Sequence, residues 1–362
     1  MTRPRRPRRA DRADRQVAPG SDVGAGGAQG AVGPGDPLAY ATPYHAPVLA
    51  RETVARLVTD PAGVYVDATL GGGGHSAALL DALGEDALVV GIDQDPEALA
   101  AAQARLAEAE ATGRFVALGG NFGDLRQLLD AVGLGPEHGR PVAGVLLDLG
   151  VSSRQLDRAA RGFAYAQAGP LDMRMNADAP DAGETAADLI ARLDAGPLAD
   201  VIYQYGEERR SRAIARAIKK AAPTTTDALA EAVRQAVPTR DEVKTLARVF
   251  QALRIAVNRE MDVLEHALPA ALDVLTEGGR LAVIAYHSLE DRRAKQFLRT
   301  GRFSSHVEKD LYGNPLAPLV PVSRKPIVAS DAEVAQNPRA RSARLRVAQK
   351  KTPPDPKRRP EA

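Results

Sequence analysis

The chain predicts an α/β fold, a mostly parallel open sheet flanked by helices and interrupted by an all-helical insertion. Three observations carry this. Apolar, β-branched runs alternate with helix-like stretches from residue 64 onward. The first turn between them, within DATLGGGGHSAALL at 67–80, holds four consecutive glycines. The alternation then stops after Asp148 and resumes only near Gly278.

VYVDAT (64–69) reads as a short buried strand and HSAALLDAL (75–83) as a helix with Ala78, Leu79 and Leu83 on one face. ALVVGID (87–93) is a second strand ending in Asp93, and DPEALAAAQARLAEAEA reads as one long helix with Pro at an early position. Strand, glycine-rich turn, helix and acid-terminated strand form a nucleotide-binding half-sheet. The glycines permit a tight turn and close backbone approach to a ligand, which the helix N-terminus faces. An acid at the end of the second strand can accept both hydroxyls of a ribose. FVALGGN (115–121) and VAGVLLDLG (142–150) supply two further strands, with GDLRQLLDAVGL as the helix between them. Asp67 and the glycines, Asp93, Asn121-Phe122 and Asp148 therefore all fall at carboxyl ends of strands, where open α/β sheets bind ligands.

Residues 152 to about 240 contain no buried-strand pattern. ETAADLIARLDAGPLADVIYQYGEERRSRAIARAIKKA and TTTDALAEAVRQAV are helical, the latter with Thr/Asp start signals. VKTLARVFQALRIAVNREMDVLEHAL reads as one long helix with a core stripe of Val249, Leu253, Val257, Met261 and Leu264. GGRLAVIAYHSLEDR (278–292) restores the sheet, with His287 to Asp291 at the strand's end, and ARLRVAQK (343–350) alternates like a last, partly exposed strand. The expected division is a leader at 1–38, a sheet domain at 39–151 and 241–350, a helical insertion at 152–240, and a tail at 351–362.

At 362 residues and 44% hydrophobic content the chain can bury a substantial core. It has no cysteine, which excludes disulfides and Cys-ligated zinc or iron–sulfur sites, and no metal ligand set is assigned. No apolar run approaches the roughly 18 residues of a membrane span. The basic N-terminus has no apolar segment behind it, so a cytoplasmic, membrane-free protein is expected. The net charge of +2 is unevenly spread: residues 1–16 carry seven Arg against two Asp, and residues 336–362 nine Lys/Arg against two acids. By subtraction, residues 17–335 carry 32 bases and 42 acids. Two basic arms on an acidic body suggest a polyanionic partner. The leader, 1–38, rich in Arg, Pro, Ala and Gly, and the tail, 351–362, are expected to be disordered. A second basic cluster, Arg209, Arg210, Arg212, Arg216, Lys219 and Lys220, lies on the insertion; local ion pairing with Glu207 and Glu208 is its structural alternative.

Read in order, DATLGGGGHS, VVGIDQDP, LLDLGVSSRQLD, RGFAYAQAGPLDMRM, YGEERRSRAIARAI, VFQALRIAVNRE, AYHSLEDRRAKQF and NPRARSARLRVA closely resemble the bacterial small-subunit ribosomal RNA cytosine-N4 methyltransferases, the RsmH or MraW family. The resemblance spans about residues 44–350. It implies a class I S-adenosylmethionine-dependent methyltransferase fold with a helical, substrate-recognising insertion. It also implies cofactor contacts from Gly73, Gly74, His75, Asp93, Phe122, Asp148 and Gln155. The implied substrate is small-subunit ribosomal RNA, naked or within the assembled subunit; the oligomeric state is left open.

Cytosine N4 is a poor nucleophile because its lone pair is delocalised into the ring. A site that accepts hydrogen bonds from the amino group and aligns it with the methyl donor supplies what is missing. The D/N-P-P-Y/F loop of many amino-methyltransferases is replaced here by DLGVSS (148–153), so its catalytic assignment does not carry over. The candidate acceptors are Asp148, His287 and Asp291, with helix capping as the structural alternative for the segment 288–291. Two other functions compete. Gly72, Gly74, Ala77 and Asp93 formally match a dinucleotide-dependent oxidoreductase, and a non-catalytic RNA-binding assembly protein would keep the fold without turnover.

Overall fold

The computed structural model describes residue 40 and residues 47–177, 182–304 and 316–352. The expected leader, and the tail beyond Thr352, lie outside these residues. Strands β1 (Val64–Asp67), β2 (Leu88–Asp93), β3 (Phe115–Gly119), β4 (Val142–Asp148) and β5 (Leu275–Ala285) pair in parallel. With β6 (Leu319–Pro321) and β7 (Arg344–Lys350) they form one sheet in the order β3-β2-β1-β4-β5-β7-β6. β7 is antiparallel to both of its neighbours. The chain runs outward from β1 through β2 and β3, returns to β4 beside β1, and proceeds the other way. That reversal between β1 and β4 is where a doubly wound sheet opens a crevice.

On the N-terminal side the helices are α1 (Ala50–Leu57), α2 (Gly74–Ala82), α3 (Pro96–Arg105), α4 (Ala107–Ala111) and α5 (Leu125–Asp130). Between β4 and β5 come α6 (Ser153–Asp157), α7 (Ala186–Arg192), α8 (Ala195–Gly206), α9 (Ser211–Ala221), α10 (Thr226–Gln235), α11 (Glu242–Asn258) and α12 (Glu260–Val274). After β5 follow α13 (Ser288–Thr300) and α14 (Asp331–Gln336).

Side chains alternate across each strand and so feed two cores. Val90, Val145, Leu147, Leu281 and Val283 pack under α12 and α13, against Leu264, Leu268 and Phe297. Val89, Leu146, Ala282 and Ile284 face the other way, against Leu57 of α1, Leu79 of α2 and Ala102 of α3. A third cluster uses no sheet residue: Ile190, Ile202, Ile214, Ile218, Leu229 and Leu253 close on one another. Ile214 and Ile218 are fully buried, each contributing about 2 kcal/mol by removal from water. Ile214→Asp would bury an unpaired charge in this cluster and open it. The cluster extends through the first half of α11, taking in Leu246, Val249 and Phe250.

Three elements differ from the sequence reading. The helix expected over 243–268 is two helices, because Arg259 adopts a left-handed φ of 50° and bends the chain. Asn258 holds the bend: its side chain accepts from Met175 N and donates to the Met173 carbonyl. The helix after Asp95 breaks at Leu106 and restarts as α4. The short β6, absent from the pattern, is an added strand beside β7.

Candidate active site

The carboxyl ends of β1, β2, β3 and β4 surround a cleft with about 510 Å³ of empty space, its open mouth included. Thr69, Gly71, Asp93, Gln94, Asp95, Phe122, Gly150, Ser152, Gln155 and Met175 are among its lining residues. Gly71 has φ of 51°, a backbone conformation that a side chain disfavours, and its N–H turns inward to donate to Asp93 Oδ2 at 2.8 Å. Asp95 N donates to Asp93 Oδ1 at 2.9 Å. Two main-chain donors thus aim one carboxylate. Burial raises the Asp93 pKa to about 6, which those two donors partly offset.

Phe122 stands where the sequence reading put it, at the end of β3, opening a short 3₁₀ turn capped by Asn121. Gln155 is buried and does double duty. Its Oε1 accepts from Ser152 N at 3.0 Å, closing a capping box at the start of α6, and its Nε2 donates to Asp95 Oδ2 at 3.3 Å. Asp95 in turn caps α3 through Glu97 N and pairs with Arg161 at 3.1 Å. Sequence reasoning missed Asp95; the DPE helix start was its signal.

Gly73, Gly74 and His75 are not on the cleft wall. Gly73 caps α2 with φ of 73°, and a Cβ there would meet Leu106 and Ala102 at 3.2 and 3.3 Å. A Cβ on Gly74 would sit 3.0 Å from Pro47. These two glycines let α2 start close against α3 and the N-terminal segment. His75 is buried at 4% exposure behind the turn. Its Nε2 donates to the Val48 carbonyl at 3.0 Å, and its Nδ1 turns toward Asp148 Oδ2 at 3.5 Å.

Asp148 ends β4, and side chains hold it. Tyr286, just past the end of β5, donates its hydroxyl to Asp148 Oδ1 at 2.9 Å. The Asp148 backbone N–H donates to Thr69 Oγ1 at 2.7 Å. Burial raises the Asp148 pKa to about 6, eased by His75 and by the tyrosine. The Tyr286 pKa is driven well above its ordinary value by burial and by the Asp148 charge, so it remains a donor. Asp67, fully buried at the end of β1, accepts from Ser76 Oγ at 2.8 Å and is likewise shifted upward by burial. Tyr286 and Thr69 were not singled out from sequence, because neither residue type in a strand-end loop signals chemistry alone.

His287 and Asp291 do not join Asp148. His287 caps α13: its Nδ1 accepts from Glu290 N at 3.4 Å, while the Glu290 carboxylate accepts from Tyr286 N at 2.9 Å and His287 N at 3.3 Å. The cap that the sequence placed on 288–291 is thus made by His287 and Glu290. Asp291 takes both Nε and Nη2 of Arg346, at 2.6 and 3.0 Å. That bidentate pair ties α13 to β7 and occupies the carboxylate.

Two trios among the described residues could hold a cation: Asp130, Glu137 and His138 on the surface, and Glu260, His287 and Glu290 beside α13. In the second, Arg254 already satisfies both oxygens of Glu260, at 2.8 Å each. On the insertion, Glu207 and Glu208 do not pair with the arginines of α9. Glu207 reaches Ser288 and Arg292 at 2.6 and 2.8 Å, and Glu208 is buried against Thr245 and Arg248.

The model of the MraW methylase family matches residues 42–351, nearly all of the described chain. The chain belongs to the MraW methylase family. Membership accounts for the long motifs around the cleft and sets aside the dinucleotide oxidoreductase. A protein of Chlorobium luteolum named Ribosomal RNA small subunit methyltransferase H is 52% identical over 324 residues, covering 85% of this chain and 96% of that one. The protein of the same name from Chlorobaculum parvum is 51% identical over 323 residues, covering 85% and 98%. In Chlorobium chlorochromatii the corresponding figures are 48% over 334 residues, 86% and 97%. None of the described helices is long and apolar enough to cross a membrane.

Proposed function

We propose that this chain methylates the exocyclic N4 of a cytidine in small-subunit ribosomal RNA, in the cytoplasm, with Asp148 as the group that receives the amine. The observation that carries this is the side-chain cage on Asp148 at the end of β4, next to a cleft whose second acid is fixed by the main chain. The cleft fits S-adenosylmethionine. Asp93 offers lone pairs to a ribose diol, Phe122 a flat apolar face to an adenine, and Gly71 an approach free of a side chain. Gly73, Gly74 and His75 set the turn that faces the methionine end. When bound, the cofactor supplies an electrophilic methyl group.

The chain's own contribution is to the nucleophile. An ionised Asp148 accepts hydrogen bonds from the amino group, raises electron density on nitrogen, and takes the proton that nitrogen must lose. Tyr286 orients Oδ1. His75, held at Nε2 by the Val48 carbonyl, faces Asp148 Oδ2 with Nδ1 at 3.5 Å. Glu290, which holds Tyr286 N, sets the position of the tyrosine. The insertion, with its own core, is the substrate-recognising unit in this reading, and the target base must be unpaired or flipped to reach Asp148.

Nucleoside mass spectrometry of ribosomal RNA treated with the pure protein and labelled S-adenosylmethionine tests the assignment. The expected product is N4-methylcytidine in the small-subunit RNA. A methyl group on ribose O2′ or on carbon five would overturn it, and no transfer by a protein that binds the cofactor would favour a non-catalytic assembly role.

A further inference from the structure

We propose that the face built by α13, β7 and the loop after β6 holds the phosphate backbone of the RNA substrate; the inference rests on the RNA methyltransferase reading and adds to it a docking surface. Lys295 and Arg299 are exposed one turn apart on α13, and Arg324 is exposed on the loop that follows β6. All three line one open groove, with Ser323 and Arg346. Lys295, Arg299 and Arg324 have no ion-pair or hydrogen-bond partner among the described residues. The arginines nearer the start of α13 are spoken for: Arg292 binds Glu207 at 2.8 Å and Arg293 binds Glu265 at 3.0 Å.

Three flanking segments are free of acid, with Glu308, Asp310, Asp331 and Glu333 between them. Residues 292–304 carry five bases and no acid, 316–330 two bases and no acid, and 334–352 six bases and no acid. Over residues 17–335 acids outnumber bases by 42 to 32, so most of the body repels a polyanion. Asp291, the acid at the head of the groove's helix, is neutralised by Arg346 at 2.6 Å, with Arg344 at 3.7 Å.

Position makes the face useful. Arg344 pairs with Ala285, so the basic stripe begins at the carboxyl end of β5, one residue from Tyr286. It then descends α13 by steps of about 6 Å, Lys295 to Arg299, the separation of side chains four apart on a helix. Long unpaired cations on one rigid helix position phosphates without reading bases. The segment before α9 differs: Arg209 and Arg210 share their groove with Glu207, Glu208 and Asp241, a mixed-sign surface, so Arg212 and Arg216, exposed on α9 itself, are the rival cations.

The test uses the full-length protein, a labelled small-subunit ribosomal RNA fragment and fluorescence anisotropy across a salt series. In the triple variant Lys295→Gln, Arg299→Gln, Arg324→Gln the slope of log affinity against log salt is expected to fall by about 2, and affinity at about 0.1 M salt by at least about tenfold. Cofactor affinity by calorimetry should stay at the wild-type value, which also reports an intact fold. The single variants Lys295→Gln and Arg299→Gln, each expected to lower the slope by about 0.7, carry the test if the triple variant misfolds. An unchanged slope, or a loss confined to an Arg209→Gln, Arg212→Gln, Arg216→Gln variant, overturns the proposal. A wild-type protein that binds no cofactor would instead overturn the methyltransferase reading.

Discussion

Asp93 and Asp148 end two parallel strands of one sheet, both are pushed to a pKa of about 6 by burial, and yet they are held in opposite ways. Asp93 is gripped by the main chain, through the N–H groups of Gly71 and Asp95. Asp148 is gripped by side chains, Tyr286 on one oxygen and His75 facing the other. Main-chain donors give up no proton near neutral pH, so Asp93 is a fixed acceptor suited to binding. Tyr286 stays a donor and His75 turns Nδ1 to the other oxygen, so the Asp148 carboxyl is set by side chains rather than by fixed amides.

The largest expected effect breaks this comparison on the Asp148 side. Asp148→Asn keeps the shape and removes the charge, so turnover should fall by about 10²- to 10⁴-fold, the range of a lost general base. Cofactor affinity, measured by calorimetry, should change little. A variant retaining a third of wild-type turnover would take the proton-accepting role away from Asp148.

Asp93→Ala should do the reverse. Unpaired ribose hydroxyls cost about 1–3 kcal/mol, or roughly 5- to 150-fold in cofactor affinity, while turnover at saturating cofactor stays near the wild-type value. Equal affinity in a titration of variant and wild type would remove Asp93 from the binding site.

The smallest effect is the most diagnostic. Asp148 accepts a proton only when ionised, so the wild-type rate should fall as pH drops through about 6. The Tyr286 hydroxyl favours the ionised form. Tyr286→Phe should therefore raise the Asp148 pKa and move the acidic limb of the pH–rate profile upward, with a rate loss within about tenfold at pH 8. A limb that stays in place would leave Tyr286 as packing only.

Much of the frame was legible because it depends on near neighbours in sequence. The continuous apolar runs at 64–67, 88–93 and 142–148 are strands, and the acids that end them face the cleft or its wall. What stayed hidden is long-range. Tyr286 and Asp148 lie 138 positions apart, and Arg346 and Asp291 lie 55 apart. In the sequence His287 and Asp291 were candidate acceptors beside Asp148, with helix capping as the alternative for 288–291. Packing gave one to a helix cap and the other to an arginine on the antiparallel strand.

The glycine turn shows the same division within a few residues. Four glycines announce a turn that tolerates left-handed backbone, and two of them, Gly71 and Gly73, use it. Only the packed structure shows that Gly71 faces the cleft while Gly73 and Gly74 admit Leu106 and Pro47.

By itself, then, the sequence determined most of the strands and helices, the glycine turn and the acids at strand ends, because backbone conformation and apolar patterning are local properties. The tertiary structure decided which acids are held by main chain, which by titratable side chains and which are neutralised. A carboxylate's chemistry depends on the donors and charges within a few ångströms of it, and those arrive from strands and helices far away in the chain.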